Sequence, residues 1–173
     1  MTLGTAFRLV GPVEADFLAL ACLVNAAFTV YPFMEGPRTT AEGIADEIGD
    51  SGRFVIADGA AGLAACAMLR PSLDVHADDT PGTVREADTM YLGLVAVDPE
   101  IRKQGLGRAV IAEAERIAAT AGYLHMSLGT LREMGNVTYY ERLGYRVVDE
   151  YAFPPGHWSM TIPHQFCVMV KEQ

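Results

Sequence analysis

The sequence predicts a mixed α/β (α+β) fold in which helices cover a central sheet. Three observations carry that expectation. Apolar runs of strand length alternate with segments of helical period along the 173-residue chain. Met90 to Val97 is a Leu- and Val-rich run with the length of a buried strand. It passes through the polar, basic turn Asp98 to Gln104 into Gly105–Ala121, where Leu106, Ala109, Val110, Ala114, Ile117, Ala118 and Ala121 form one apolar helical face. No repeat, low-complexity stretch or linker interrupts the pattern, so one domain over residues 1–173 is expected.

The elements follow in order. Phe7–Val10 reads as a short strand ended by Gly11-Pro12. Val13–Tyr31 reads as a helix with Phe17, Leu20, Val24 and Phe28 near one face. Pro32 to Arg38 breaks the chain, and Thr39 or Thr40 caps a second helix to about Ile48. Gly49–Gly52 is a turn, Arg53–Ala57 a strand, Asp58–Ala61 a hairpin turn and Gly62–Arg70 the returning strand. Pro71–Thr89 is a solvated connection bearing Asp74, Asp78, Asp79, Glu86 and Asp88. Beyond the central helix, which Gly122 terminates, Tyr123–Leu128 is a strand and Gly129–Gly135 a loop. Asn136 caps a short helix, Val137–Leu143, that Gly144 ends. Tyr145–Tyr151 is a strand, Phe153–Gln165 a structured loop and Phe166–Lys171 the last strand.

The formal net charge of −9 argues against nucleic acid or an anionic membrane surface as the partner and is compatible with cationic amines. Cys22, Cys66 and Cys167 have neither metal nor redox spacing and read as small core residues in a reducing compartment. The apolar run Phe17–Val30 lacks a basic leader, contains Asn25 and falls short of a membrane span, so a cytoplasmic location is expected.

The turn before the central helix carries the first chemistry. Arg102, Lys103, Gln104, Gly105, Leu106, Gly107 and Arg108 sit at the mouth of a helix whose first N–H groups lack intrahelical partners. Glycines allow a bulky anion close to the backbone, and successive N–H groups form an anion nest suited to a diphosphate. The dinucleotide fingerprint wants its first glycine directly after the strand, whereas seven residues separate Val97 from Gly105. The P-loop ending is also absent, which disfavours a nucleotide-binding module of another class.

Arg102-Lys103-Gln104-Gly105-Leu106-Gly107, following Leu94-Val95-Ala96-Val97-Asp98-Pro99, closely resembles the Gcn5-related N-acetyltransferase (GNAT) family. The resemblance implies a mixed, mostly antiparallel sheet flanked by helices and acetyl-CoA as co-substrate. It also implies that Arg102 to Arg108 hold the pyrophosphate while the strand around Val95, Ala96 and Val97 holds the pantetheine arm. A homodimer is compatible with the family.

Asn136 to Tyr145 is a second match. It resembles the family's late helix, in which a tyrosine precedes Leu, Gly and an aromatic. Tyr140 falls on the tyrosine position, and the resemblance makes it the general acid toward the coenzyme sulfur. The chemistry is sound on its own terms. Attack of an amine on a thioester expels a thiolate of pKa about 8.5, and a phenol of pKa about 10 can return a proton to it. Tyr139, one step round the helix, is expected to face elsewhere and pack. Asn136 departs from the commoner family spacing, and a helix cap explains it as well as a coenzyme contact does.

The general base is not legible. Tyr91 and Gly93 stand where relatives often carry a carboxylate on the fourth strand. Glu86, Asp88, Glu133, His125 or a water relay are the alternatives. The resemblance makes Tyr31, Phe33, Met34 and Glu35 candidate contacts for a small-molecule or peptide amine, with Glu86 and Asp88 beside them. No metal is expected. The reading is an N-acetyltransferase acting by direct attack on a primary amine; the alternative is a non-catalytic acyl-CoA sensor on the same fold.

Overall fold

The computed structural model describes residues 6–75, 82 and 84–173. The chain runs β1 (Phe7–Val10), α1 (Phe17–Phe28), α2 (Ala41–Ile48), β2 (Arg53–Gly59), β3 (Gly62–Pro71), β4 (Thr89–Val97), α3 (Leu106–Thr120), β5 (His125–Leu131), α4 (Val137–Arg142), β6 (Arg146–Phe153) and β7 (His164–Glu172). The strands form one sheet in the order β1-β2-β3-β4-β5-β7-β6. Every neighbouring pair is antiparallel except β4 and β5, which are parallel. The expected mixed, mostly antiparallel sheet is present.

The strands alternate two apolar faces, and helices cover both. On one face Leu69, Leu92, Met126 and Met169 meet Val110, Ile111, Ala114 and Ala118 of α3, with Val137 of α4 and Tyr145 alongside. On the other, Phe54, Ile56 and Met68 meet Leu20 and Val24 of α1 and Ile44 and Ile48 of α2. A third cluster, Leu131, Met160, Phe166 and Val168, packs under Trp158 in the β6–β7 connection. Met34 bridges to Met160, and the Thr161 amide donates to the Phe33 carbonyl at 2.8 Å, so that connection is pinned to the one between α1 and α2.

Several boundaries differ from the sequence reading for definite reasons. The first helix starts at Phe17, four residues later than expected, because the Asp16 carboxylate accepts from the Ala19 amide at 3.0 Å and caps it there. Thr40, not Thr39, caps α2. β5 begins two residues later than expected and runs through Gly129 to Leu131, since β7 pairs with it over that whole length. Cys66 and Cys167 are buried, but Cys22 is exposed and is not a core residue. Asp78 and Asp79 of the acidic connection lie outside the described residues. No helix among the described residues is long and apolar enough to cross a membrane.

Candidate active site

β4 and β5 pair only from Thr89 opposite His125 to Leu92 opposite Leu128. Beyond that point the two strands part. The cause lies in β4, where Leu94 has a φ of 43°. Its register against β3 slips there, with Met68 opposite Gly93 but Cys66 opposite Ala96. This is a β-bulge, which bends the strand that carries it. The Cys66 thiol donates to the Leu94 carbonyl at 3.3 Å and holds the bulged peptide. Burial pushes that thiol up to about 12, so it stays a neutral donor and no nucleophile. β5 meanwhile continues against β7, and a wedge opens between the parallel strands.

A cavity of about 660 Å³ occupies the wedge and spreads toward α2. β4 contributes Tyr91 to Val95, β5 contributes Leu128 to Leu131, and Asn136 and Tyr140 close one side. Gly129 in its floor leaves space for the Phe166 ring: a Cβ there would sit 2.0 Å from Cζ of Phe166, so the ring or the strand would have to shift.

β4 leads from this cavity straight into the turn before α3. Lys103 and Gly105 both have positive φ, 64° and 83°. Gly105 occupies the N-cap with no side-chain cap bond. The Ala109 amide is the first to bond back, to the Gly105 carbonyl at 3.0 Å, which leaves the Leu106, Gly107 and Arg108 amides without intrahelical acceptors. No heavy atom lies within 4 Å of the position a Gly105 Cβ would take; at Gly107 the nearest are Val97 Cγ2 at 3.4 Å and Tyr139 Oη at 3.5 Å. Little crowds these amides, and donors so arranged suit an anion. Lys103 and Arg108 are exposed beside it, whereas the Arg102 guanidinium turns away and donates to the Ala27 carbonyl at the end of α1.

Tyr140 reaches the cavity from α4. Its ring meets Tyr145 edge-on at 5.8 Å, and the Tyr145 hydroxyl donates to Glu115, which Lys171 also engages at 2.7 Å. Burial, with smaller contributions from Tyr139, Tyr31 and Tyr91, pushes the Tyr140 phenol above its usual range. Tyr139 does not face away as expected: the two adjacent rings touch at 5.4 Å, edge to face.

Asn136 makes no cap bond, because its own backbone is already helical, φ −84° and ψ −14°. Its Nδ2 donates instead to the Tyr31 Oη at 3.2 Å. Val95 lines the cavity, Ala96 is buried on the α1 face of β4, and Val97 packs with Leu106 against the α3 core.

The profile of the family described as the acetyltransferase (GNAT) family matches residues 20–145 of the chain. The chain belongs to the GNAT family of acetyltransferases. Its fold is similar to that of the ribosomal-protein-S18-alanine N-acetyltransferase from Escherichia coli, with a TM-score of 0.70 at 17% identity over 96% of this chain and 94% of that one. It is also similar to the PaiA N-acetyltransferase from Thermoplasma acidophilum in complex with coenzyme A (TM-score 0.66, 17% identity, 97% and 99% covered). Escherichia coli ElaA gives 0.64 at 17% identity, with 97% and 99% covered. No curated protein matches the sequence.

Within this GNAT fold the acceptor candidates divide. Met34 lines the cavity and Tyr31 touches it through Asn136. Phe33 is packed into the Phe166 cluster, and Glu35 is exposed, with its amide bonded to the Ser159 carbonyl at 2.9 Å. Glu86 and Asp88 are a correction. They precede β4 at the closed end of its pairing with β5, next to His125, and do not line the cavity. Those three side chains bring ligand-type atoms within 4.8 Å of one another, away from the wedge. Glu133 accepts from the Gln165 amide at 3.1 Å and likewise stays outside.

Sequence reasoning missed the other cavity wall. Asp46 and Glu47 come from α2, Arg70 from β3 and Trp158 from the β6–β7 connection. Trp158 and Ser159 both hold positive φ, 50° and 59°, an uncommon state for bulky residues. Only the Pro- and Trp-rich composition of that connection hinted at a fixed shape.

Proposed function

We propose that the protein moves the acetyl group of acetyl-CoA onto a primary amine by direct attack. The observation that supports this most is that one strand, β4, joins the bulged cavity wall at Leu94–Val95 to the glycine-lined mouth of α3, while Tyr140 faces the cavity from the other side. Acetyl-CoA supplies an activated acyl group as a thioester. The Leu106, Gly107 and Arg108 amides, with Lys103 and Arg108, would hold its diphosphate. The β4 segment around Val95, Ala96 and Val97 would hold the pantetheine arm, and a bulge amide near Val95 would polarise the carbonyl.

The balance of the step is simple. The neutral amine nitrogen bonds to the acyl carbon, the carbon–sulfur bond breaks, the Tyr140 phenol gives its proton to the sulfur, and the proton the nitrogen sheds on becoming an amide returns to the Tyr140 oxygen. Burial keeps the Tyr140 phenol protonated, so that its O–H can hydrogen-bond the departing thiolate. The ammonium form of the acceptor loses its proton beforehand. We assign that proton to water in the cavity mouth, because the lining carboxylates, Asp46 and Glu47, sit on α2, which packs on α1 and β3.

Release of free thiol from acetyl-CoA, measured across a panel of amines, tests the reading. Tyr140→Phe should lower kcat by ~10²-fold while coenzyme affinity holds. An unchanged kcat would leave Tyr140 a packing residue. Coenzyme binding with no transfer to any amine would mark the non-catalytic sensor instead.

A further inference from the structure

Arg70 is the most unusual residue of the cavity. It lies on β3 opposite Tyr91 and is only 6% exposed, yet it lines the cavity. Its Nη1 donates to the Glu47 carbonyl in the last turn of α2. Its Nε is buried with no hydrogen-bond partner among the described residues. No carboxylate oxygen among the described residues comes within ion-pair distance of the guanidinium.

A guanidinium is always charged, and burying one without a counter-ion is costly. The negative end of α2 offsets part of that cost. What remains is a planar fork of N–H donors with an orphaned Nε, the geometry that matches a carboxylate. Tyr91, the neighbour of Arg70, is three residues along β4 from the Leu94 bulge, about 10 Å.

We propose that Arg70 receives a carboxylate of the acceptor, so that the substrate is an amine that also carries a carboxylate: an amino acid or a short peptide with a free carboxyl end. The proposal rests on the acetyl-transfer reading above. It makes Arg70 a specificity determinant, with no part in the bond-making step.

The test measures kcat/KM for amino acids, ω-amino acids and dipeptides, each against its own carboxamide, with coenzyme binding followed by calorimetry. The wild-type protein should favour the acid over the amide by about 10- to 100-fold for its preferred acceptor. Arg70→Met should collapse that ratio to within about 3-fold, and Arg70→Lys should keep part of it. Equal use of acids and amides by the wild type, which needs no variant to fold, would overturn the proposal and leave acetyl transfer standing. So would a folded Arg70→Met that retains the acid preference. Absence of coenzyme binding, or of transfer to any amine, would sink acetyl transfer itself and this proposal with it.

Discussion

The Asn136 side chain donates to the Tyr31 phenol oxygen at 3.2 Å, and so ties the start of α4 to the connection that follows α1. Tyr140 lies one turn further along α4, its amide bonded to the Asn136 carbonyl at 3.0 Å. The bond therefore links the acceptor side of the cavity to the residue assigned as general acid. Tyr31→Phe and Asn136→Ala should each lower kcat/KM, and the double variant should lose less than the sum. A coupling of about 0.5–1.5 kcal/mol is expected from a double-mutant cycle on acetyl transfer. Strict additivity would mean that the two side chains act separately.

Local pattern made half of this site legible. The β4–turn–α3 unit is contiguous, its apolar period switches from strand to helix, and Gly105 sits where a positive φ is needed. Tyr140 stands out through the resemblance of its short helix to the family's late helix rather than through periodicity. The bulge was hidden, because Leu94 lies inside an apolar run that reads identically with or without an extra residue. Asp46, Glu47, Arg70 and Trp158 were hidden for another reason. They sit on three elements far apart in the chain, and only the sheet order and the packing of α2 bring them to one cavity. The spacing of Asn136 fits a cap as well as a contact, and its actual partner, Tyr31, is 105 residues away in the chain.

Gly107 offers the cleanest test of the anion nest. An alanine Cβ there would make ordinary contact with Val97 and Tyr139, but the branches of valine would crowd the space over the helix mouth. Gly107→Val should weaken coenzyme binding by about tenfold or more, roughly 1.4 kcal/mol, as read by calorimetry. Gly105→Val should weaken it too, with added backbone strain of about 1–2 kcal/mol because its φ is 83°. Unchanged affinity in a folded Gly107→Val would refute the assignment of this turn.

Gly129 should report on the cavity floor through stability. Gly129→Ala drives a methyl into the Phe166 ring, so the ring or the strand must move, at a cost of about 1–3 kcal/mol. Phe166→Leu removes the clashing ring atoms. Thermal or urea unfolding should show the Gly129→Ala penalty shrinking in the Phe166→Leu background. A penalty of the same size in both backgrounds would place its origin in the backbone.

The pH dependence of turnover follows from the burial of Tyr140. A general acid works only while protonated, and burial raises this phenol above its ordinary value of about 10. The acid form therefore persists through the whole range in which an amine acceptor becomes neutral. The rate should climb with pH as acceptor ammonium is lost and should not fall below about pH 10. Stability carries the matching sign: burial favours the neutral phenol, so its contribution is complete below the unfolded value near 10 and declines as pH rises through the higher folded one. A bell-shaped profile whose alkaline limb is centred near pH 8, kept by Tyr140→Phe, would assign the proton to another group.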